Sequence, residues 1–167
     1  MDTSRWPPEE RSRLYRRQAG RARRAELEAA LPSLLNGHAA GDWRLLTLEE
    51  SDRLIENMRG AAVLRPHHEW LPVERGDLGP TAARHAARRP REERVLVWFH
   101  DSDVVGLLEL SAEAFGRAAR MLIDLDGEII GAWTINHTWR FDIDVDKDDG
   151  VEQFQIRLWD ADADDGA

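Results

Sequence analysis

The strongest pattern in the chain is an alternation of apolar and polar residues near the C-terminus. From Trp139 to Val145 every second residue is large and apolar, and the residues between them are one arginine and two aspartates. After a turn at residues 147–150, the segment Val151 to Trp159 alternates in the same way. A period of two is typical of a strand with one buried face, so the two segments predict an antiparallel hairpin.

A second hairpin is predicted just before this one. Residues 95–99 are apolar throughout, as in a buried strand, and residues 104–110 form another apolar run after an Asp-Ser-Asp turn. Ser111 then stands at the N-cap of a helix whose apolar residues recur with helical spacing. The pattern of residues 128–133 leaves the conformation after that helix open.

Helices are predicted in the first part of the chain. Residues 1–35 form a charged N-terminal segment in which residues 8–30 are expected to be one partly exposed helix, starting at prolines and acidic residues. Thr47 and Glu50 have the spacing of a capping box and predict the start of a second helix. Both helices precede the two hairpins.

The segment between the helices and the hairpins, residues 61–94, has four prolines and no sustained periodicity except a short helix at 80–88. We expect an irregular segment, which in a small domain is usually functional or mobile. Residues 95–160 are expected to form the sheet, and residues 161–167 a frayed acidic tail. The prediction is a single α+β domain over residues 1–167, in which N-terminal helices precede two β-hairpins separated by a helix. The hairpins form a mostly antiparallel sheet with helices on one face.

Composition supports a globular protein, with 42% hydrophobic and 33% charged residues. There is no cysteine, which excludes thiolate catalysis, disulfides and cysteine-ligated zinc. The N-terminus lacks the apolar core of a secretory signal, and no apolar window is long enough to span a membrane. We therefore expect a cytoplasmic protein without a membrane partner.

Charge is distributed unevenly. Residues 1–94 carry 18 basic and 15 acidic side chains, a net of +3, whereas residues 95–167 carry 5 basic and 17 acidic ones, a net of −12. The acidic half should attract cationic proteins and repel nucleic acid phosphates, so direct nucleic acid binding is not expected. Seven arginines between Arg11 and Arg24 could instead bind RNA, form a solvated face, or balance the acidic half internally.

Five aspartates lie within twelve residues of the C-terminal hairpin: Asp142, Asp144, Asp146, Asp148 and Asp149. A calcium loop that starts at the first of them would have Lys147 where glycine is needed and Gln153 where glutamate is needed, and later starts also fail, so the pattern argues against an EF-hand. Their spacing on a strand indicates either a solvated hairpin or an acidic recognition strip. Both interpretations stay open at this point. In support of recognition, solubility alone does not require such clustering, and adjacent like charges repel unless a cation compensates them. No metal or cofactor is expected.

Histidines give an alternative hypothesis, a small enzyme or metal-dependent protein that uses His67, His68 or His100 near the 61–94 segment. The first two lack the helical spacing of a zinc-binding pair. His100 precedes Asp101 and Ser102, but such close neighbours do not usually form a catalytic triad, and a turn explains the Asp-Ser-Asp composition without catalysis. Nucleotide-binding loops and the nucleophile elbow are absent from the sequence. A third hypothesis is a scaffold or regulatory subunit that docks through its arginine-rich helix.

Tryptophan is unusually frequent, with seven in 167 residues. Most should be core residues, because a large indole buries well. Trp133, Trp139 and Trp159 belong to the acidic half. An exposed tryptophan beside aspartates is typical of a protein interface, where an aromatic anchor is surrounded by steering charge.

A resemblance to a known family is carried by the segments TLEES, VLVWFHDSDVVGLLELS, AEAFGRAARMLIDLDGEIIGAW and WRFDIDVDKDDGVEQFQIRLWD. Over roughly residues 45–160 the chain resembles small bacterial proteins of polymorphic toxin loci that are thought to act as immunity proteins. The resemblance implies that the protein catalyses no reaction and instead binds and blocks a cognate toxin. Many such toxins are nucleases with cationic clefts.

The resemblance and the charge distribution lead to the same expected partner, a cationic protein. The residues that we expect to contact it are Asp142, Asp144 and Asp146, with Asp148 and Asp149 at the hairpin tip, and Trp139. We expect Arg140 to be a local counter-charge.

Overall fold

The computed structural model describes residues 7–35, 42–62, 70–126, 129–148 and 151–160. The elements in chain order are α1 (Pro8–Ala19), α2 (Arg21–Leu34), β1 (Trp43–Leu45), α3 (Leu48–Ala62), β2 (Leu71–Val73), α4 (Arg75–Ala86), β3 (Arg94–Phe99), α5 (Ser102–Val105), β4 (Leu108–Ser111), α6 (Ala112–Asp126), β5 (Ile129–Thr134), β6 (Trp139–Asp148) and β7 (Val151–Asp160). The strands form one sheet in the order β1-β4-β3-β5-β6-β7-β2, and every neighbouring pair is antiparallel. The predicted α+β class with an antiparallel sheet is confirmed.

One face of the sheet, the inner face, carries the main core. The alternation predicted for β6 is confirmed, because Trp139, Phe141 and Ile143 are buried on this face. Helices α2, α4 and α6 cover the face with apolar side chains such as Leu31 and Phe115. Burial of each such side chain stabilises the fold by about 1.5–3 kcal/mol.

The opposite face, the outer face, carries a smaller apolar cluster at its β3–β4 end. Leu96 of β3 packs there with Leu107, and Leu54 and Ile55 of α3 pack against them. Helices α2, α4 and α6 are thus the helices that were predicted to cover one face. Helix α3 packs on the other face, which was not predicted.

The charged N-terminal segment forms two helices and not the single predicted helix over residues 8–30. The chain turns at Gly20, where a Cβ atom would lie 2.1 Å from the carbonyl oxygen of Val104 in α5. Only glycine permits this approach of two backbones. The break depends on a contact with a distant part of the chain, which the local pattern cannot indicate.

The expectation that residues 61–94 are irregular is wrong for the described part of that segment. It contains β2 and the 12-residue helix α4, which packs along α6. Pro80 lies inside α4, where it lacks a backbone donor, and the buried face consists largely of small residues. Because of the proline and the many alanines, the sequence of α4 lacks the regular spacing of large apolar residues that predicts a helix. Residues 63–69 lie outside the described residues.

The first predicted hairpin is confirmed, with Arg94 opposite Ser111 and Val97 opposite Leu108. Its connection differs from the prediction, because residues 102–105 form α5 and the second strand starts only at residue 108. Gly106 follows α5 with φ +94°, a conformation that other residues rarely adopt. Gly106 therefore separates α5 from β4, and the apolar run at residues 104–110 is not one continuous strand.

The predicted capping box at the start of α3 is confirmed. Glu50 Oε2 accepts a hydrogen bond from Thr47 N at 2.9 Å, and Glu50 N donates to Thr47 Oγ1 at 3.2 Å. The hydrogen bonds from Thr47 and the nearby guanidinium of Arg44 lower the pKa of Glu50 to about 2. Its carboxylate therefore stays ionised and keeps the helix start in place.

Candidate functional site

A cluster of tryptophan, arginine and aspartate lies on the outer face where β5, β6 and β7 pair. The register places Asp142 between Gly131 of β5 and Arg157 of β7. Two residues before Asp142 on β6, and on the same face, Arg140 lies opposite Trp133 of β5. We use the name Asp142 cluster for the following set of residues: Trp70, Trp133, Arg140, Asp142 and Arg157.

The carboxylate of Asp142 is the buried centre of this cluster, and its side chain is only 4% exposed. Its Oδ1 accepts a hydrogen bond from Trp133 Nε1 at 2.8 Å, and its Oδ2 accepts two from Arg157, at 3.0 and 2.9 Å. Arg140 Nε lies 2.5 Å from Oδ2, at an angle that makes an ion pair but not a hydrogen bond. Two guanidiniums thus compensate one buried carboxylate.

Tryptophan rings hold both guanidiniums in place. Arg140 lies over the ring of Trp133, 3.9 Å from its centroid, and Arg157 lies over Trp70 at 4.6 Å. Trp98 of β3 extends the layer, because its ring centroid is 5.2 Å from that of Trp133. Each cation–π contact contributes roughly 0.5–2 kcal/mol. The cluster therefore has a fixed geometry before anything binds to it.

Gly131 makes room for the carboxylate. A Cβ atom at this position would lie 2.4 Å from the carbonyl oxygen of Phe141 and 3.0 Å from Asp142 Oδ1. The side chains around it remain partly exposed, at 22% for Arg140, 26% for Arg157 and 36% for Trp70 as a residue. The cluster is thus buried at its centre and open at its edges.

Two of the residues expected to contact a partner are buried. Trp139 is fully buried in the main core, where its ring stacks on His85 at 4.9 Å and meets Phe115 edge-on. The expectation that it contacts a partner is corrected, because the inner face of β6 is covered by helices. Asp142 is also no free steering charge, because it is enclosed by the two arginines. The role of Arg140 as a local counter-charge is confirmed.

Of the remaining aspartates that were expected to contact a partner, Asp144 is the one whose side chain the structure describes. Asp144 is exposed, and its Oδ1 accepts a hydrogen bond from Val145 N at 3.0 Å. The backbone of Asp146 and Asp148 continues β6 opposite β7, but their side chains lie beyond what the structure describes, as does all of Asp149. Asp144 is therefore the one predicted acidic contact that is described and exposed.

Of the histidines of the enzyme hypothesis, only His100 lies in the described part of the chain, where it is exposed directly after β3. His67 and His68 fall outside it. Ser102 is buried and its Oγ accepts a hydrogen bond from Phe99 N at 2.8 Å, while Asp101 accepts one from Arg23 at 3.1 Å. Ser102 thus stabilises the β3–β4 connection, which contains the short helix α5 and is not the predicted turn. Across residues 7–35, 42–62, 70–126, 129–148 and 151–160, no three acidic or histidine side chains are placed to hold a metal ion.

Most of the described arginines in the N-terminal segment bind other parts of the same chain. Arg16 donates to both carboxylate oxygens of Asp52, at 3.0 and 2.8 Å, and Arg17 forms an ion pair with Glu49. Arg24 Nη1 donates to the carbonyl oxygens of residues 46 and 105, at 2.8 and 2.7 Å. Of the three interpretations of this segment, these contacts support the internal balance of charge.

His85 and Arg89 are among the buried polar side chains that the sequence patterns did not indicate. His85 of α4 is 5% exposed, its Nε2 lies 3.2 Å from the carbonyl oxygen of Arg140, and burial lowers its pKa. Arg89 follows α4 and donates to Glu93 at 2.7 Å and Asp160 at 2.9 Å. The helical spacing of residues 78, 82 and 85 was the available signal for His85, but it lies in an alanine–arginine run.

Comparisons with protein-family models, with curated proteins and with solved structures each found no match to this chain. Among the described helices, none has both the length and the apolar character required to cross a lipid bilayer.

Proposed function

We propose that this protein is a non-enzymatic protein-binding module of the immunity type, and that it binds a cognate protein with the outer face around the Asp142 cluster. The observation that supports this proposal is a layer of tryptophan and arginine side chains on the outer face of the sheet, of which Trp70 is exposed and the others partly exposed. Tryptophan and arginine are the residues most enriched among those that dominate interface energetics. A cluster already held by a buried carboxylate loses little conformational entropy on binding.

The charge of the hairpin supports a cationic partner. Asp144 is exposed on the same face of β6 as the Asp142 cluster, and the C-terminal half of the chain has a net charge of −12. Such a field raises the association rate of a basic protein. We propose a nuclease toxin as the partner on the basis of the family resemblance, and the cytoplasm as the place where the two would meet.

The proposal is tested with the polypeptide encoded beside this gene. Its toxicity is measured as growth of a host that expresses it alone, with this protein, or with a Trp70→Ala variant. Protection by the wild-type chain and weaker protection by the variant at equal expression would support the proposal. Unimpaired toxicity in the presence of soluble wild-type protein, together with no complex on size-exclusion chromatography, would contradict it.

A further inference from the structure

We propose that the centre of the binding face recognises a carboxylate on the partner protein through Arg140 and Arg157. This inference rests on the proposed function and specifies the chemistry of its central contact. It adds a feature that net charge alone does not predict, because the chain as a whole is acidic, at −9, whereas the centre of the face is basic.

The Asp142 cluster has an excess of positive charge. Two guanidiniums share one carboxylate, so their sum is 2 − 1 = +1. Both arginine side chains are about three-quarters buried, at 22% and 26% exposed, where a charge is screened less than on an open surface. A second carboxylate would therefore complete the charge balance that Asp142 begins.

Hydrogen-bond donors of both arginines remain available. Arg157 uses Nε and Nη2 for Asp142, and Arg140 directs Nε to the same carboxylate. Within the described part of the chain, neither Nη1 of Arg157 nor either Nη atom of Arg140 has a hydrogen-bond partner. Trp98 Nε1, in the same aromatic layer, is also buried without an acceptor there. The buried indole N–H of Trp98 is costly without an acceptor. The Nη atoms belong to partly exposed side chains, so they can donate to the oxygens of a ligand without displacing a protein partner.

The stacking of the guanidiniums determines the shape of the ligand. A guanidinium is planar, and its N–H groups lie in the plane of the fork, where they match the two oxygens of a carboxylate. The indole beneath each guanidinium leaves the rest of its surroundings to the ligand. Lysine would supply the charge but not this planar fork. The arrangement thus selects a planar anion that approaches along the ring surfaces of Trp133 and Trp70.

The surroundings favour a protein carboxylate over a nucleic acid. Asp144 is exposed on the same face, two residues along β6 from Asp142, and it would repel a chain of phosphates. A single carboxylate surrounded by basic side chains would satisfy the basic centre and the acidic rim together. The partner surface that we infer is therefore basic with one acidic residue at its centre.

The first test uses a defined probe, a terminally blocked Lys-Asp-Lys-Glu-Lys peptide, and its Asn/Gln counterpart as the matched neutral control. Binding to the full-length protein is followed by NMR of the indole N–H resonances of Trp133 and Trp70. We expect saturable shifts with the acidic peptide and an affinity about tenfold lower for the neutral one. Equal affinities would overturn the inference.

Matched variants identify the residues responsible. Arg140→Lys and Arg157→Lys keep the charge and remove the fork, and each should weaken peptide binding by about fivefold or more. Arg120→Lys, on the exposed surface of α6, should leave it unchanged. NMR spectra of all variants also report whether each is folded. Equal effects of all three substitutions, or stronger displacement of the peptide by inorganic phosphate or a single-stranded oligonucleotide than by aspartate, would overturn the inference.

The second test separates this inference from the proposed function. Each exposed carboxylate of the neighbour-encoded protein is replaced by its amide, and its affinity for the wild-type chain is measured. The inference is supported if one replacement lowers the affinity for the wild-type chain by about tenfold or more and has no such effect on the affinity for the Arg157→Lys variant. If the partner binds but no replacement weakens it, the inference fails and the proposed function stands. If the peptide binds but the partner does not, the anion site stands and the proposed function fails.

Discussion

Trp133 Nε1 donates a hydrogen bond of 2.8 Å to Asp142 Oδ1, across the pairing of β5 with β6. This bond links a partly exposed indole to a buried carboxylate. The orientation of the ring therefore depends on a charge beneath the surface, and that charge depends on Arg140 and Arg157. The residues proposed to meet a partner and the residues that hold them form one hydrogen-bonded and stacked unit.

Replacement of the central carboxylate should destabilise the fold. Asp142→Asn leaves two guanidiniums without their shared counter-charge, and we expect a loss of about 2–4 kcal/mol in the free energy of unfolding. Asp144→Asn, on the same strand but exposed, is the control and should change it by less than about 0.5 kcal/mol. Urea unfolding measures both. Similar values for the two variants would show that Asp142 is not the structural centre of the cluster.

The close approach at Gly131 gives a second stability prediction. Gly131→Ala places a methyl group against the carbonyl oxygen of Phe141 and the Asp142 carboxylate, so we expect a loss of about 1–3 kcal/mol. Gly76→Ala in α4 is the control, because its Cβ atom would have nothing within 4 Å and alanine favours a helix. The midpoint temperature of thermal unfolding should therefore fall for Gly131→Ala and rise for Gly76→Ala. A change in the same direction for both variants would contradict the geometry.

His85 should make stability depend on pH. Burial lowers its pKa below the ordinary 6.5, while Asp160 and the carbonyl oxygens of Arg140 and Trp159 act in the opposite direction and Arg88 adds to the lowering. The unfolded chain then binds more protons than the fold as the pH falls below 6.5, so stability decreases in that range.

A variant of His85 separates this effect from other acid-sensitive groups. His85→Phe retains the stacking on Trp139 and should reduce the slope of unfolding free energy against pH below 6.5. Urea midpoints over a pH series give the slopes of the variant and of the wild type. A wild-type slope in His85→Phe would assign the pH dependence to other groups.

The exposed aspartate should act on the rate of association with a cationic partner. Asp144→Asn removes one steering charge, and we expect an association rate constant about two- to fivefold lower at low salt and little difference at high salt. Glu56→Gln, an exposed acid on α3, is the control for net charge alone. Stopped-flow mixing measures the rates. An effect that persists at high salt, or one equal in both variants, would argue against steering at this face.

Much of the sheet could be predicted because its signal is local. The period of two in β6 and β7 identified both strands and the side of β6 that enters the core. The pattern could not indicate that the polar side is partly buried as well. That property arises when strand pairing brings Trp133 and Arg157, from other parts of the chain, onto Asp142.

Two of the misjudged elements depend on contacts with distant parts of the chain. Gly20 breaks the N-terminal helix because it contacts Val104, and Gly106 limits β4 because it approaches the carbonyl oxygen of Leu46 with φ +94°. The cause for α4 is local, because its buried face has one large apolar side chain, Leu78, beside alanine, glycine and histidine, and this composition gives no clear hydrophobic period. Its partner α6 provides the large apolar side chains that complete the packing.

The most direct test of the proposed binding face compares two exposed aromatic residues, one beside the Asp142 cluster and one on α1. Trp70 is 36% exposed beside the Asp142 cluster, and Tyr15 is 77% exposed on α1. Isothermal titration calorimetry gives the affinity of each alanine variant for the neighbour-encoded protein. We predict a loss of about tenfold or more for Trp70→Ala and less than about twofold for Tyr15→Ala. The reverse order would place the interface on the arginine-rich helix and contradict binding through the outer face.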